Sequence, residues 1–252
     1  MALIEQAGYR ALPALNASYL KTVLAKSKWH ADIRTEPTPA MRLGTLVHAK
    51  ILEPHKVEGE YAVFSGDRRT KAGKEAYAEL LTSGREIVTT DQWDISEAMQ
   101  DAVRQHAACA ELLDDACLTE QSMTFSYNEL DAKAQIDLYS NSGYLVDLKT
   151  IADITNAEKQ FFNLNYALQM AWYKLALQAN GFKVRGVKIL FVESAPPHQV
   201  ALLDVSSEVL RFGAKQADQA VAKWLAQRES GMPELVTNIL TLPPWLNEEK
   251  TK

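Results

Sequence analysis

The sequence predicts an α/β (α+β) fold in which a central mixed β-sheet is flanked by helices. Helical patterns dominate the chain up to about residue 114, and three runs of alternating apolar and polar residues follow between residues 123 and 148. A helix, two strand patterns and a last helix complete the order. We expect one domain over residues 1–252, with residues 1–35 as an N-terminal helical extension packed on the core, because 252 residues are enough to bury a single core.

The first helices are delimited by their capping residues. Asn16 and Ser18 can cap a short helix that extends to about residue 29. Thr38 and Pro39 predict another helix start, because the threonine hydroxyl can accept a backbone N–H and proline lacks the N–H that a first turn leaves unpaired. That helix extends to about residue 52, ahead of a proline at position 54, and it carries His48.

Residues 55–85 show little regular pattern, apart from a short helix predicted around residues 74–81. Apolar residues recur with helical spacing from residue 90 to about residue 114. The period then changes, and alternating runs at residues 123–127, 134–138 and 144–148 predict three antiparallel strands.

The last part of the chain alternates helix and strand patterns. Thr155 and Glu158 have the spacing of a capping box and predict a long helix that ends near residue 181. Residues 184–192 and 199–205 are predicted as two more strands. A final helix is predicted from Ser206 or Ser207 to about residue 227.

The charge is distributed unevenly along the chain. The net charge of −5 argues against a nucleic-acid partner, yet residues 85–138 hold 12 acidic and 3 basic residues, which leaves 20 acidic and 24 basic residues elsewhere. Two basic clusters are visible, Lys21, Lys26, Lys28 and Arg34, and then Arg68, Arg69, Lys71 and Lys74. Each is compatible with an ordinary solvated surface. The overall charge therefore does not exclude DNA as a partner.

The cysteines and the hydropathy indicate the cellular compartment that we expect for this protein. Cys109 and Cys117 lie in one acidic stretch without a second pair that would complete a zinc or iron–sulfur site. No window approaches the roughly 18 apolar residues of a membrane span, and the N-terminus lacks a basic start followed by an apolar run. We expect plain thiols, a cytoplasmic location and no membrane partner.

The most informative stretch is residues 132–150, in which SNSG at 140–143 has the composition of a turn. A hairpin centred on Ser142 would place Asp137 directly across from Asp147, with their Cβ atoms about 5 Å apart. Lys149 follows Asp147 by two residues and therefore projects on the same side of the strand. Two aspartates and a lysine would converge from adjacent strands.

Such a convergence of carboxylates points to a metal. Two close carboxylates repel each other unless a cation lies between them, and oxygen ligands suit Mg²⁺, with Mn²⁺ as a substitute. The metal could polarise a phosphodiester and activate water, while Lys149 positions the nucleophile or stabilises developing charge. The alternative is a surface hairpin with ordinary charges. Ile136 and Val146 favour a partly buried face, where unmatched carboxylates would be destabilising.

The motif D-x9-D-x-K on a hairpin, followed by a helix with Gln169 and Tyr173 four residues apart, resembles the PD-(D/E)XK nuclease superfamily in its RecB-like branch. Five separated segments further resemble the nuclease domain of RecE-type exonucleases (exodeoxyribonuclease VIII). They are GTLVHAKILEP at 44–54, RRTKAGKE at 68–75, VDLKTIADI at 146–154, YALQMAWY at 166–173 and LTLPPWL at 240–246. The resemblance spans about residues 10–246 and implies a restriction-endonuclease-like core, although Ile136 stands where the superfamily name has proline.

The resemblance also implies roles for individual residues. The implied metal ligands are His48, Asp137, Asp147 and the backbone carbonyl of Leu148. Lys149 corresponds to the catalytic lysine, and Gln169 to a residue that contacts the active site. Glu120 is a further candidate metal ligand, because it matches a glutamate that precedes the first sheet strand in related nucleases, with Glu111, Asp114 and Asp115 as competing candidates. The implied DNA-binding residues are Arg68, Arg69, Lys71, Lys74 and Tyr173, but the apolar neighbours of Tyr173 fit a core position equally well.

The activity implied by the resemblance is a Mg²⁺-dependent 5′-to-3′ exodeoxyribonuclease that acts on double-stranded DNA ends and leaves 3′ single-stranded tails for recombination in phage or prophage. A ring-shaped homotetramer threaded by DNA and a single-strand annealing protein as partner are implied as well. Two alternatives stay open. One is a single-strand or structure-specific nuclease of the same superfamily, and the other is a catalytically inactive DNA-end-binding scaffold. The joint presence of His48, Asp137, Asp147 and Lys149 argues against the scaffold.

Overall fold

The computed structural model describes residues 3, 4 and 6–233, so the LTLPPWL segment at 240–246 lies outside the described residues. The helices are α1 (Gln6–Ala11), α2 (Ala17–Ala25), α3 (Lys28–Asp32), α4 (Pro39–Leu52), α5 (Val57–Glu60), α6 (Lys71–Thr82), α7 (Thr90–Gln105), α8 (Ala107–Asp114), α9 (Ala157–Asn163), α10 (Tyr166–Ala179) and α11 (Ser207–Ser230). The strands are β1 (Leu3–Ile4), β2 (Tyr61–Phe64), β3 (Glu86–Thr89), β4 (Ala116–Tyr127), β5 (Leu130–Ser140), β6 (Tyr144–Ile151), β7 (Gly186–Glu193) and β8 (Val200–Asp204).

The central sheet has the strand order β1-β4-β5-β6-β7-β8. Strands β6 and β7 are parallel, and the other neighbouring pairs are antiparallel. The prediction of a mixed sheet flanked by helices is confirmed. Strand β6, which carries Asp147 and Lys149, lies inside the sheet with a partner on each side. None of the helices within the described ranges is both long enough and apolar enough to cross a membrane.

Helices cover the two faces of the sheet with separate apolar clusters. On one face, Leu20 of α2, Trp172 of α10 and Ala217 of α11 pack with Ile136 and Leu145 of the sheet. The opposite face is covered by α4, α7 and α8, which contribute Val47, Met99 and Cys109 to a cluster with Val146 and Leu148. The strand that holds the two site residues is therefore enclosed from both sides.

Several predicted elements have different boundaries. The helix predicted for residues 16–29 is two helices, because Asn16 caps α2 and Ser27 caps α3. The segment predicted as one helix from residue 90 is likewise interrupted at His106, where the backbone is extended. The long helix predicted from Thr155 is α9 and α10, separated at Asn165, which has a left-handed φ of 53°.

Two short elements were not predicted. Strands β2 and β3 form a parallel pair within and just after the segment predicted to be mostly irregular, and α6 connects them.

Thr155 does not open a capping box, because its backbone N–H donates to the side chain of Asp153 in a short 3₁₀ turn. The first predicted antiparallel strand is also longer than expected, since β4 begins at Ala116.

Helices α10 and α11 meet at Gly213. A Cβ atom at this position would overlap the carbonyl oxygen of Ala167. We therefore expect Gly213→Ala to lower the free energy of unfolding by about 1–3 kcal/mol, the usual cost of overpacking. The control is Gly59→Ala, because nothing lies within 4 Å of a Cβ there. Thermal unfolding measures both variants, and equal melting temperatures would contradict this description of the helix contact.

Candidate active site

The β5–β6 hairpin brings the two aspartates to the point where its strands separate. Leu138 pairs with Val146 and Tyr139 with Leu145, which is the register predicted from the turn at Ser142. The backbone pairing of β5 with β6 stops at Leu138 and Val146. Beyond that pair, the backbone N–H of Leu148 donates to a side chain, Asp137 Oδ2, at 2.8 Å. Both carboxylates are buried, and Asp147 is fully inaccessible to solvent.

Glu120 lies on the other side of Asp137. It falls between the β4–β5 pairs Thr119–Leu138 and Gln121–Ile136, so it stands across from Asp137 in register. Its φ of 45° is left-handed, a conformation that costs a non-glycine residue of the order of 1–3 kcal/mol and that is typical of functional sites. Glu120 lies within β4 (Ala116–Tyr127), so the expectation that it precedes the first strand is wrong.

The competing acidic residues have other partners. Asp114 pairs with Arg104 at 2.7 Å, and Asp115 accepts the backbone N–H of Ser142 at 2.8 Å. Glu111 lies on α8 and is exposed. Of the four candidates that the sequence left open, Glu120 is the one whose carboxylate contacts His48.

Helix α4 positions His48 over β6. Val47 and Ile51 bury the same helix against Val146 and Leu148. His48 Nε2 lies 2.9 Å from the carbonyl oxygen of Leu148, and Nδ1 lies 3.1 Å from Glu120 Oε1 and 3.8 Å from Asp137 Oδ2. Burial alone would lower the pKa of His48, but the carboxylates of Asp137 and Glu120 outweigh it and raise the pKa.

Lys149 occupies the centre of the carboxylate group. Its Nζ lies 2.5 Å from Asp147 Oδ2, 4.0 Å from Asp137 Oδ2 and 3.1 Å from the carbonyl oxygen of Leu148. Burial would lower the pKa of Lys149, but Asp147 and Asp137 raise it, so this side chain is an ammonium at neutral pH. Burial raises the pKa of Asp147 to about 6, with the Lys149 charge opposing that shift.

The ligand atoms fit a divalent cation. One ligand atom each of His48, Glu120 and Asp137 lies within 4.8 Å of the other two. Asp147 adds a buried Oδ2 that receives no well-directed hydrogen bond, although the Lys149 ammonium is beside it. One imidazole with several carboxylate and carbonyl oxygens is a donor set suited to Mg²⁺ or Mn²⁺. These residues could hold the cation that the aspartate hairpin predicted.

Helix α10 supports Asp147 from the other face of the sheet. Gln169 Nε2 donates to Asp147 Oδ1 at 2.9 Å and to the hydroxyl of Tyr173 at 3.1 Å. Tyr173 is only 9% exposed and belongs to the apolar core of this face. This buried position favours a role for Tyr173 in orienting Gln169. It does not favour the DNA contact that the resemblance implied.

The basic segment at residues 68–74, which covers the start of α6, is not part of this group of residues. Arg69 pairs with Asp67, Arg68 lies 3.9 Å from the centroid of the Tyr77 ring, and Lys71 pairs with Glu75. Lys74 is exposed on the first turns of the same helix. Within the described ranges, none of these four basic side chains has a hydrogen bond or ion pair to a metal-site residue. They remain candidates for DNA contacts away from the metal.

Lys21 on α2 also reaches the site, a contact that the sequence does not reveal. Its Nζ donates to Gln169 Oε1 at 2.6 Å and lies 4.6 Å from the centroid of the Tyr166 ring. The sequence showed Lys21 only as a member of a basic cluster. Its contact with a residue 148 positions away had no local signal that could have revealed it.

The chain is similar to one protein family in sequence and to several solved structures in fold. Residues 17–233 match the family model described as a PDDEXK-like domain of unknown function (DUF3799). A comparison with curated proteins gives no match. The structure of a putative exonuclease from Eubacterium rectale is similar with a TM-score of 0.68 and 15% sequence identity, over 95% of this chain and 95% of that chain.

Two further solved structures match with lower scores. A phage-related exonuclease from Haemophilus somnus 129PT has a TM-score of 0.38 and 14% identity over 87% of this chain and 96% of that chain. An alkaline exonuclease from Laribacter hongkongensis has a TM-score of 0.32 and 14% identity over 73% and 94%. The likeness to the Eubacterium rectale structure shows the fold alone. The family match covers most of the chain and confirms the predicted recognition as a PD-(D/E)XK nuclease, so the protein belongs to the PDDEXK-like family DUF3799.

Proposed function

We propose that this protein is a Mg²⁺-dependent 5′-to-3′ exodeoxyribonuclease that acts on double-stranded DNA ends and generates 3′ single-stranded tails for recombination. The observation that carries the proposal is the convergence of His48, Glu120 and Asp137 beside the Lys149–Asp147 pair. The fold shared with a protein described as a putative exonuclease supports the same class. The end preference and the polarity rest on the resemblance to RecE-type exonucleases.

The residues divide the chemistry between them. His48, Glu120, Asp137, Asp147 and the Leu148 carbonyl would hold the cation, which when bound supplies Lewis-acid polarisation of the phosphodiester and a more acidic water. The Lys149 ammonium is fixed between two carboxylates, where it can stabilise charge that develops on the phosphoryl oxygens. Gln169 holds the Asp147 carboxylate in one orientation.

The cellular setting is part of the proposal. We place the enzyme in the cytoplasm of a cell that carries a phage or prophage recombination system, as a ring-shaped homotetramer that works with a single-strand annealing protein. The uneven charge supports a ring, because an acidic exterior and a basic channel can coexist in a chain whose acidic residues concentrate in 85–138.

The direct test uses linear duplex DNA labelled at one 5′ end, incubated with Mg²⁺ or with EDTA, beside a closed circular duplex and a labelled single strand. We expect release of the 5′ label from the linear duplex only, and only with Mg²⁺. Cleavage of the circle or preference for the single strand would identify the structure-specific alternative. Absence of metal-dependent cleavage on every substrate would favour the DNA-end-binding scaffold.

Lys149 provides a sharper test of the mechanism. We expect Lys149→Ala to lower the cleavage rate at saturating Mg²⁺ by at least about 100-fold, since one preorganised charge at the reacting group contributes on that scale. Lys159→Ala, an exposed lysine on α9, is the control. Wild-type cleavage by the Lys149 variant would remove this lysine from the mechanism.

The metal-free protein should show the cost of burying the Asp147 carboxylate as a pH-dependent stability. Its folded pKa of about 6 is above the usual value of 3.8, so the folded state binds the proton more tightly and loses stability as the pH rises through that interval. Asp147→Asn lacks this loss. We expect the variant to melt higher than the wild type at pH 7.5 in EDTA, and the difference to shrink at pH 4.5.

The magnitude at pH 7.5 is bounded by the pKa shift, which corresponds to about 3 kcal/mol at most. Asp101→Asn, an exposed substitution on α7, controls for general charge effects. A lower melting temperature of Asp147→Asn than of the wild type at pH 7.5 in EDTA would contradict this reading of the site.

A further inference from the structure

The N-terminal segment is fastened to the strand that carries Asp137. Lys133 Nζ donates to the carbonyl oxygens of Tyr9 and Leu12, at 2.7 Å and 2.6 Å. The backbone of Leu15 bonds to β5 in both directions, through Asp131 and Lys133. Helix α2 follows directly, and its Leu20 is fully buried in the core. Lys21 is therefore held at a defined place against α10.

Lys21 places a second ammonium group beside the reaction centre. The Gln169 amide that accepts from Lys21 through Oε1 donates to Asp147 through Nε2. The Tyr166 ring has Lys21 Nζ 4.6 Å and Lys149 Nζ 5.4 Å from its centroid. Two lysines from distant parts of the chain thus share one aromatic ring next to the carboxylates.

The carboxylates of Asp147 and Asp137 act on Lys21 electrostatically, but neither is close enough to form an ion pair with it. Lys21 forms no ion pair with any carboxylate in the described part of the chain, and burial and then the Lys149 charge lower its pKa to about 8. When a bound cation takes the neutral imidazole of His48 as a ligand, the carboxylates of Glu120, Asp137 and Asp147 exceed the ammonium groups of Lys21 and Lys149 by one charge, not counting the cation itself. A divalent cation reverses that excess to one positive charge. A single phosphodiester anion would then restore neutrality.

We propose that Lys21 binds a phosphate oxygen of the DNA strand at the reaction centre, from the side opposite to His48. The inference rests on the proposed nuclease function and adds the N-terminal helix α2 to the active site. Charge-assisted hydrogen bonds from an ammonium to a phosphate are among the stronger polar contacts, so loss of this one should be measurable. The competing explanation is that Lys21 only anchors α2 to α10 through Gln169.

The test compares Lys21→Met, which keeps the apolar stem, with Lys21→Arg, which keeps the charge. Lys26→Met is the matched control, since Lys26 is an exposed lysine at the end of the same helix. Binding is measured by fluorescence anisotropy of a labelled 5′-phosphorylated duplex with Ca²⁺ in place of Mg²⁺, at several salt concentrations. Cleavage of the same duplex with Mg²⁺ gives kcat/KM and the Mg²⁺ concentration at half-maximal rate.

For Lys21→Met we expect DNA affinity and kcat/KM to fall by about 10- to 100-fold, and the slope of log affinity against log salt concentration to decrease by about one. The Mg²⁺ dependence and the melting temperature should stay at the wild-type values. Lys21→Arg should recover most of the affinity, and Lys26→Met should behave as the wild type.

Unchanged affinity and salt slope in Lys21→Met would overturn the inference. So would a lowered melting temperature with no recovery in Lys21→Arg, because that pattern marks a structural anchor. Failure of the proposed function is distinguishable, since a wild-type protein that binds the duplex without cleaving it still allows the binding comparison. A wild-type protein that does not bind the duplex overturns both.

Discussion

The opening of the sheet around Asp137 is the constraint on which the rest of the site depends. On the β4 side, Glu120 adopts a left-handed backbone across from Asp137, and on the β6 side the ladder stops at the Leu138–Val146 pair, so that Asp137 is not part of it. The Asp137 carboxylate fills the gap by accepting the Leu148 N–H. A buried carboxylate must be compensated, and this arrangement does so while it leaves the Leu148 carbonyl free for His48 and Lys149. The strained backbone at Glu120 thus accompanies a cluster of oxygen atoms that can bind a cation.

Positive and negative groups alternate in the cluster. Lys149 lies against both aspartates, and the imidazole of His48 lies against Glu120 and Asp137. The groups come from α4, β4, β5 and β6, so the geometry depends on how these elements pack around the sheet. The N-terminal segment participates as well, since Lys133 fastens it to β5 and Lys21 reaches the amide that holds Asp147. The N-terminal segment, which the sequence predicts as an extension, therefore contributes the Lys21 side chain to the site.

Local features of this protein are readable from the sequence, and non-local ones are not. The hairpin register followed from the turn at Ser142, because the two strands are adjacent in sequence and the pairing is determined by the turn. The parallel β2–β3 pair was missed because each strand has four residues and its partner lies beyond a helix. The break at Asn165 and the left-handed Glu120 depend on tertiary contacts, such as the bond between Gln216 and Asn165, that no periodicity reveals. The contact of Lys21 with Gln169 joins residues 148 positions apart, so no local pattern could predict it.

The claim that the sheet opening forms a divalent-cation site is tested most directly by crystals soaked in Mn²⁺ and measured at the manganese absorption edge. The anomalous difference map should show a peak among His48, Glu120, Asp137, Asp147 and the carbonyl oxygen of Leu148, and the peak should disappear after soaking in EDTA. A map with no peak at these residues, or with manganese bound only at the exposed acidic surface of α7 and α8, would contradict the assignment.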